Sequence, residues 1–317
     1  MTAPELTDET AFSALVERHR RELQVHCYRM LGSFEEAEDL TQETFLRAWR
    51  RRETYAGRAS LRAWLYRIAT NACLDVLEKR PRKPSENGEV LWLQPIPDDL
   101  LAELPSDAEE PEAEVVARET IELAYMVAIQ HLPPRTRAVL ILRDALGWRA
   151  RDTAELLEMS EAAVNSALQR ARAGLKQHLP TQRSDWESAE LDEADRALLE
   201  QYMRATELGD AKLVAETLAE DVRFTMPPQP GLWVGRDNVV GGWVEGGFGD
   251  PNRIGDFRCT LTFANRQPAV VNYLRGPGED TFRAFAIDVL TIAEGRIVGI
   301  TTFDVPVFAA FGLPEAL

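Results

Sequence analysis

The spacing of apolar and polar positions divides the chain into stretches of different style. Residues 8 to 80 carry apolar side chains at intervals of three and four, with few Pro or Gly, which predicts helix throughout. Pro81, Pro84, Pro95, Pro97, Pro105 and Pro111 then break the pattern among acids and predict a linker, although Val90-Leu91-Trp92-Leu93 is apolar enough to dock locally. A second helical block is expected from about 113 to 179, punctuated by Pro133-Pro134 and Gly147. From Leu191 an amphipathic helix runs to about 208, and a short helix follows Gly209-Asp210. Extended runs are then expected at Val222 to Met226, 256–264, 269–274, 281–292 and 296–304, with Glu294-Gly295 as a hairpin turn. Helices first and a mostly antiparallel sheet later predict a multidomain chain, two all-α domains followed by an α+β domain.

Charge changes the meaning of these blocks. The net charge of −16 looks wrong for a nucleic-acid binder. Its distribution does not: about eleven Arg and Lys stand against three acids from Leu46 to Lys83. About ten acids and no base follow to Ala117, the balance from Leu132 to His178 is about +3, and from Leu179 onward it is about −10. Charges beyond a Debye length of about 8–10 Å are screened, so DNA would feel the local field. Three scattered cysteines and four scattered histidines give no ligand spacing, so neither metal nor cofactor is expected. No run of about eighteen apolar residues occurs. The polar N-terminus lacks signal-peptide order, so a cytoplasmic location with no membrane contact is expected.

In the first block, Glu38, Asp39, Gln42 and Glu43 load one side of a helix whose apolar stripe includes Phe45 and Trp49. Acids near a helix N-terminus suit the macrodipole, and the same face would also dock a basic partner helix. In the next helix Leu61, Leu65, Ile68, Ala72 and Val76 form one side, while Arg67, Asn71, Asp75 and Lys79 follow at i+4 on another, with Trp64 between. Solvated arginines around a core tryptophan are one reading. The other is capture of single-stranded DNA, cations tracking phosphate while a ring stacks on a base.

The run from Tyr28-Arg-Met-Leu-Gly through Ala37-Glu-Asp-Leu-Thr-Gln-Glu-Thr-Phe-Leu-Arg-Ala-Trp49 resembles sigma region 2 of the extracytoplasmic-function (ECF) sigma factors. Leu61-Arg-Ala-Trp-Leu-Tyr-Arg-Ile-Ala-Thr-Asn-Ala-Cys-Leu-Asp75 resembles their following −10-recognition segment. The resemblance implies that Glu38, Asp39, Gln42, Glu43, Phe45 and Trp49 grip the clamp coiled coil of the largest subunit of core RNA polymerase. It implies that the loop Tyr55 to Ser60 and the helix after it capture a flipped base of the melted −10 element, through Arg58, Ser60, Arg62, Trp64, Arg67, Asn71, Asp75 and Arg80.

Leu146 to Arg172 has helix-turn-helix spacing, with small Ala154 at the crossing, Glu158-Met159-Ser160 as the turn and Ser160 placed to cap the second helix. That helix should bury Val164, Leu168, Ala171 and Leu175 and present Ala162, Asn165, Ser166 and Gln169, flanked by Arg170 and Arg172. Short polar side chains suit base edges in the major groove while arginines hold phosphate, although a plain helical hairpin shares the apolar spacing. The segment resembles sigma region 4, which reads the −35 element, with Leu132-Pro-Pro-Arg-Thr-Arg137 as lead-in. The resemblance assigns Ser160, Ala162, Asn165, Ser166, Gln169, Arg170 and Arg172 to that element and adds the polymerase flap as a partner. Many relatives carry basic residues where Asn165 and Ala167 stand, which implies weaker or shifted −35 preference. The run Asn165-Ser-Ala-Leu-Gln-Arg-Ala-Arg172 is typical of the sigma-G-like subfamily, which has a C-terminal extension.

The stretch Tyr202-Met-Arg-Ala, Gly209-Asp210, Leu218 to Pro228 and Gly235-Arg236 resembles the SnoaL-like polyketide-cyclase superfamily, a cone-shaped sheet wrapped on helices around an apolar pocket. Met226, Trp233, Trp243, Phe248, Tyr273, Asp288 and Asp304 are the expected lining. No histidine follows His178, so the domain is expected to regulate, contacting its own sigma domains, and not to catalyse. The resulting layout is residues 8–83 for the −10 module, 84–112 for a flexible acidic linker, 113–180 for the −35 module and 191–317 for the regulatory domain. Two rival classes remain open on the residues: an enzyme fused to a DNA-targeting arm, and a helix-turn-helix repressor with an effector domain.

Overall fold

In the computed structural model, which describes residues 8–55, 60–101, 121–179 and 191–317, caps cut the first helical stretch into four. Helix α1 (Glu9–Glu17) starts at Asp8, whose carboxylate accepts from the Ala11 N–H at 2.8 Å. Helix α2 (Arg20–Leu31) ends at Gly32, where φ is 73° and an added Cβ would lie 3.1 Å from Gln130, so both the left-handed turn and the close approach ask for glycine. Helix α3 (Phe34–Arg50) is capped by Ser33 and carries Glu35 and Glu36 in its first turn, Arg47 and Arg50 in its last, as the helix dipole favours. Helix α4 (Leu61–Lys79) is capped by Ser60 Oγ, which accepts from Ala63 N–H at 3.1 Å. Leu23, Met30, Leu31, Leu65, Tyr66 and Cys73 are fully buried among these helices. Each such aliphatic side chain stabilises the packing by about 1.5–3 kcal/mol.

The second block has α5 (Leu123–Gln130), then α6 (Pro134–Leu140), started by Pro at its first position, where the missing N–H costs nothing. A wide π-type turn follows at Ile141–Ala145. Helices α7 (Ala150–Leu157) and α8 (Glu161–His178) are joined through Glu158, which adopts a left-handed φ of 56°, and Ser160 Oγ caps α8 by accepting from Ala163 N–H at 3.2 Å.

These two blocks, expected as separate modules joined by a linker, form one compact unit. Buried Arg137 ties them: its guanidinium donates to the Met30 carbonyl, to Gln130 Oε1 at 2.5 Å and to the carbonyls of Gln130 and Leu132 at 2.9 and 3.1 Å. Burial lowers its pKa to about 9, which still leaves it charged near neutrality. Tyr66 and Trp148 pack at a ring separation of 5.4 Å across the same junction.

The second unit holds α9 (Glu193–Glu207), α10 (Ala211–Thr217), α11 (Arg236–Gly246) and a six-stranded sheet in the order β2-β1-β6-β5-β4-β3. The strands are β1 (Leu218–Met226), β2 (Gln229–Val234), β3 (Asp256–Ala264), β4 (Gln267–Arg275), β5 (Arg283–Ala293) and β6 (Arg296–Asp304). Only the β1–β6 pair is parallel. Leu199, Tyr202, Val214, Leu218, Val222, Val270 and Leu290 form its core between helices and sheet. The hairpin turn at Glu294-Gly295 has φ values of 52° and 70°, and a second two-residue turn, Asn265-Arg266, has 55° and 61°. Strand β2 and helix α11 were not anticipated, because Pro230 and Gly231 mark a break in one and Gly241-Gly242 weakens the other.

Part of the expected flexible linker, Pro84–Asp98, belongs to this second unit, as does Glu122–Ala124 from the stretch expected in the −35 module. Val90, Leu93 and Ile96 are buried, and Ile96 N–H donates to Asn265 Oδ1 at 2.9 Å while Asn265 N–H donates to the Ile96 carbonyl at 3.0 Å. Val90 and Leu93 belong to the apolar run expected to dock locally, and with Ile96 they overcome the flexibility expected from proline and charge content. Residues 102–112 of that linker lie outside the described residues.

Candidate nucleic-acid and partner interfaces

On α3, burial of Ala37, Thr41, Thr44 and Ala48 turns Glu35, Glu38, Asp39, Gln42 and Leu46 outward. Leu46 is 52% exposed amid these acids, an unusual position for a leucine and a suitable one for a partner surface. Glu43 is instead held by Arg47 at 2.8 Å, and Arg47 also reaches Asp75 of α4 at 3.0 Å. Phe45 and Trp49 are half-buried, each with an arginine over its ring: Arg20 at 5.0 Å and Arg52 at 3.9 Å. Phe12 of α1 packs on Trp49 at 5.4 Å.

Helix α4 buries Leu61, Leu65, Ile68 and Ala72 as its periodicity requires, and Asn71, Asp75, Lys79 and Arg80 are exposed. Trp64 is half-buried and its ring lies 5.3 Å from Tyr55 in the preceding loop. Ser60 is exposed but its hydroxyl is occupied by the cap, and Arg58 lies outside the described residues. Two arginines of the basic stripe have partners within the chain. Arg62 donates to Glu22 at 2.6 Å, and Arg67 donates to Glu158 at 2.9 Å. Glu22 was not foreseen. Only 5% of its side chain is exposed, and it also accepts from Tyr66 at 3.2 Å and pairs with His19 at 2.5 Å. Burial pushes its carboxyl up, but bonds from His19 and Arg62 outweigh that and hold it below the ordinary glutamate range. Its position in a helical repeat gave no sign of this, since a glutamate on an amphipathic helix ordinarily faces water.

Helix α8 buries Val164, Ala167, Leu168 and Ala171 and exposes Ala162, Asn165, Ser166, Gln169, Arg170 and Arg172. Asn165, Ser166 and Gln169 present an amide and hydroxyl row at helical spacing, which is what base edges in a major groove require. Ser160 caps, and Arg172 holds Asp144 in a two-pronged pair at 2.7 and 2.9 Å, which raises the arginine's pKa.

The expected pocket residues of the sheet domain do not all converge. Met226, Trp243 and Phe248 pack on the core, and Trp233 is 37% exposed with its ring 5.4 Å from Phe224. Asp288 is buried, accepting from Thr302 at 2.5 Å, Asn272 at 2.7 Å and Tyr202 at 3.3 Å. Burial raises its carboxyl above the ordinary aspartate range against the pull of those bonds. Asp304, two residues beyond Thr302 on β6, shares its face and is half-buried. Tyr273, next to Asn272 and so on the opposite face of β4, packs against Phe308 at 5.7 Å, away from Asp288. Among the described residues no group of three or more His, Cys, Asp or Glu is arranged to hold a metal, and no helix is long and apolar enough to cross a membrane.

Comparison with known proteins adds three family models: Sigma-70 region 2 over residues 15–83, Sigma-70 region 4 over 122–175 and the SnoaL-like domain over 199–300. The chain is 40% identical over 323 aligned positions to the ECF RNA polymerase sigma factor SigG of Mycobacterium tuberculosis strain H37Rv, covering 96% of this chain and 85% of that one. It is 31% identical to SigJ of the same strain over 298 positions, covering 90% and 88%. The crystal structure of Mycobacterium tuberculosis SigJ superposes with a TM-score of 0.61 at 27% identity, covering 95% of this chain and 99% of that one.

Proposed function

Because this chain belongs to the ECF sigma factor family, we propose that it binds core RNA polymerase and directs promoter recognition and transcription initiation, with its SnoaL-like domain tuning that activity. The observation that carries the reading is the outward row Asn165, Ser166 and Gln169 on a helix whose opposite side is buried and whose start is fixed by Ser160. Such a helix enters a major groove with its polar row against bases, here those of the −35 element.

The finer assignments follow from surface chemistry. The exposed acids of α3, with Leu46 among them, dock the basic clamp coiled coil of the largest subunit. The module containing α8 takes the flap. On α4, Trp64 and Tyr55 stack on an unpaired base of the melted −10 element while Arg67, Lys79 and Arg80 track phosphate. Arg62 acts through position, its guanidinium held by Glu22 beside the Tyr66 ring at 5.1 Å. Arg172, though exposed, braces α8 against Asp144, and Arg170 is a second exposed cation next to the polar row. The sheet domain regulates and does not catalyse: both oxygens of Asp288 are taken up by Thr302, Asn272 and Tyr202.

The test is reconstitution with core polymerase and run-off transcription from a promoter library. Promoter-dependent transcripts that need this protein are expected. A chain that fails to associate with core polymerase overturns the reading.

A further inference from the structure

The stretch that runs from the end of the first module to the start of α5 in the second is anchored on the sheet domain near both of its ends. Near its start, Glu89 accepts from Gly231 N–H of β2 at 2.8 Å. Farther on, Ile96 and Asn265 exchange backbone and side-chain bonds, Pro97 bridges Ala264 in antiparallel fashion, and Asp98 accepts from Arg266 N–H at 2.7 Å. At its far end, Leu123 N–H donates to Gln267 Oε1 at 2.9 Å. Asp98 and Leu123 therefore attach to Arg266 and Gln267, adjacent residues whose Cα atoms lie about 3.8 Å apart. The chain leaves this turn and returns to it.

Asn265 and Arg266 both adopt left-handed backbone, with φ of 55° and 61°, where Asn-Gly is the usual pair. An arginine is disfavoured in that region; the β3–β4 ladder closes the turn with Ala264 opposite Gln267, and the Arg266 N–H is directed at Asp98. Asn265 is fully buried by the docked segment's contacts and its own turn. The docking also runs against charge, since an acidic segment meets an acidic domain. It is secured by directed bonds and by buried Val90, Leu93 and Ile96.

We propose that the β3–β4 turn of the SnoaL-like domain is a clamp that stores the length of the inter-module linker, and that the clamp must open before the two modules can occupy separate promoter elements. The proposal rests on the sigma-factor reading above. In the present form the modules are packed together, with Arg67 on Glu158 and Tyr66 on Trp148. Separating them requires linker contour, available at about 3.3–3.6 Å per freed residue. While Asp98 and Leu123 share one turn, the length between them contributes nothing to that reach. Clamping and promoter engagement are then mutually opposed, and any ligand or partner of the sheet domain that loosens the turn acts as an activator.

A reversible lock tests this. Paired residues of an antiparallel bridge have Cα atoms about 4.5–5.5 Å apart, within the range a disulfide spans. The full-length Pro97→Cys, Ala264→Cys double variant is assayed with core polymerase by run-off transcription, oxidised and after reduction, beside wild type treated identically. A fall of tenfold or more on oxidation, restored by reduction and absent in wild type, is the expected result. A second variant, Asp98→Ala with Asn265→Gly, removes two anchoring bonds while glycine keeps the left-handed turn. It should initiate about threefold or more above wild type, each such bond contributing roughly a two- to tenfold factor in an equilibrium. An oxidised lock that initiates as well as its reduced form, or a release variant that melts like wild type yet initiates no faster, overturns the clamp. Loss of initiation by wild type and reduced lock alike would sink the sigma-factor reading instead.

Discussion

Arg67 Nη2 of the −10 helix donates to Glu158 Oε1 at the turn of the −35 module, 2.9 Å away, so the two surfaces proposed to read promoter DNA are latched to each other. Both side chains are substantially exposed, at 42% and 76%, and an ion pair of that kind contributes about 0–1 kcal/mol. The latch is weak enough for a phosphate to displace Glu158 from the arginine. Glu158→Gly removes it while suiting the left-handed φ of 56°. Promoter affinity of the holoenzyme should rise about two- to fivefold, with thermal stability within about 1 kcal/mol of wild type. Filter binding and calorimetry check the two halves separately, and unchanged affinity would remove the latch from the account.

Trp64 carries the next prediction. Its ring is half-buried beside Tyr55 and close to the exposed row of α4. A stacked base is worth about 1–3 kcal/mol by alanine substitution. Trp64→Ala should therefore reduce open-complex formation by roughly tenfold or more, read by the fluorescence of 2-aminopurine placed in the −10 element. Binding to core polymerase should not change, and if strand opening also stays intact the ring is only structural.

Asn165 and Gln169 are exposed, so their replacement leaves the core of the module intact. Asn165→Ala and Gln169→Ala should each relax discrimination at one position of the −35 element by about 1–3 kcal/mol. Selection from a randomised −35 library, sequenced before and after binding, measures this directly. An identical preference in both variants and wild type would refute groove reading by this face.

Asp288 gives a pH dependence whose sign is fixed by burial. Its carboxyl lies above the ordinary range in the folded chain. The folded state then holds the proton more tightly than the unfolded one. The contribution to stability is greatest below the unfolded value of about 3.9, and it declines by up to about 1.4 kcal/mol per pH unit as pH rises through the window up to the folded pKa. Asp288→Asn removes this slope. Denaturant melts of both proteins between about pH 4 and 7 should show wild type losing stability relative to the variant as pH rises. A constant difference would mean that the bonds from Thr302, Asn272 and Tyr202 offset burial fully.

Much of the layout is written in local chemistry. Ser33, Ser60 and Ser160 each precede a helix whose first free N–H groups they satisfy, and the apolar period of α8 fixes which side Asn165 and Gln169 occupy. Strands β3 to β6 and the Glu294-Gly295 turn follow from alternation and from the left-handed backbone that glycine permits. Local patterning is therefore enough for the helical modules, the hairpins and the outward side of α8, because these depend on neighbours within a few positions. Tertiary structure alone decided which charges are spent inside the molecule. Arg62 on Glu22, Arg67 on Glu158 and Arg172 on Asp144 join residues 28 to 91 positions apart, and no periodicity encodes such pairs. It also decided where the apolar run of the acidic linker lands, beside a turn 168 positions from Asp98. Burial and hydrogen bonding are properties of the assembled neighbourhood, and only the folded chain brings that neighbourhood together.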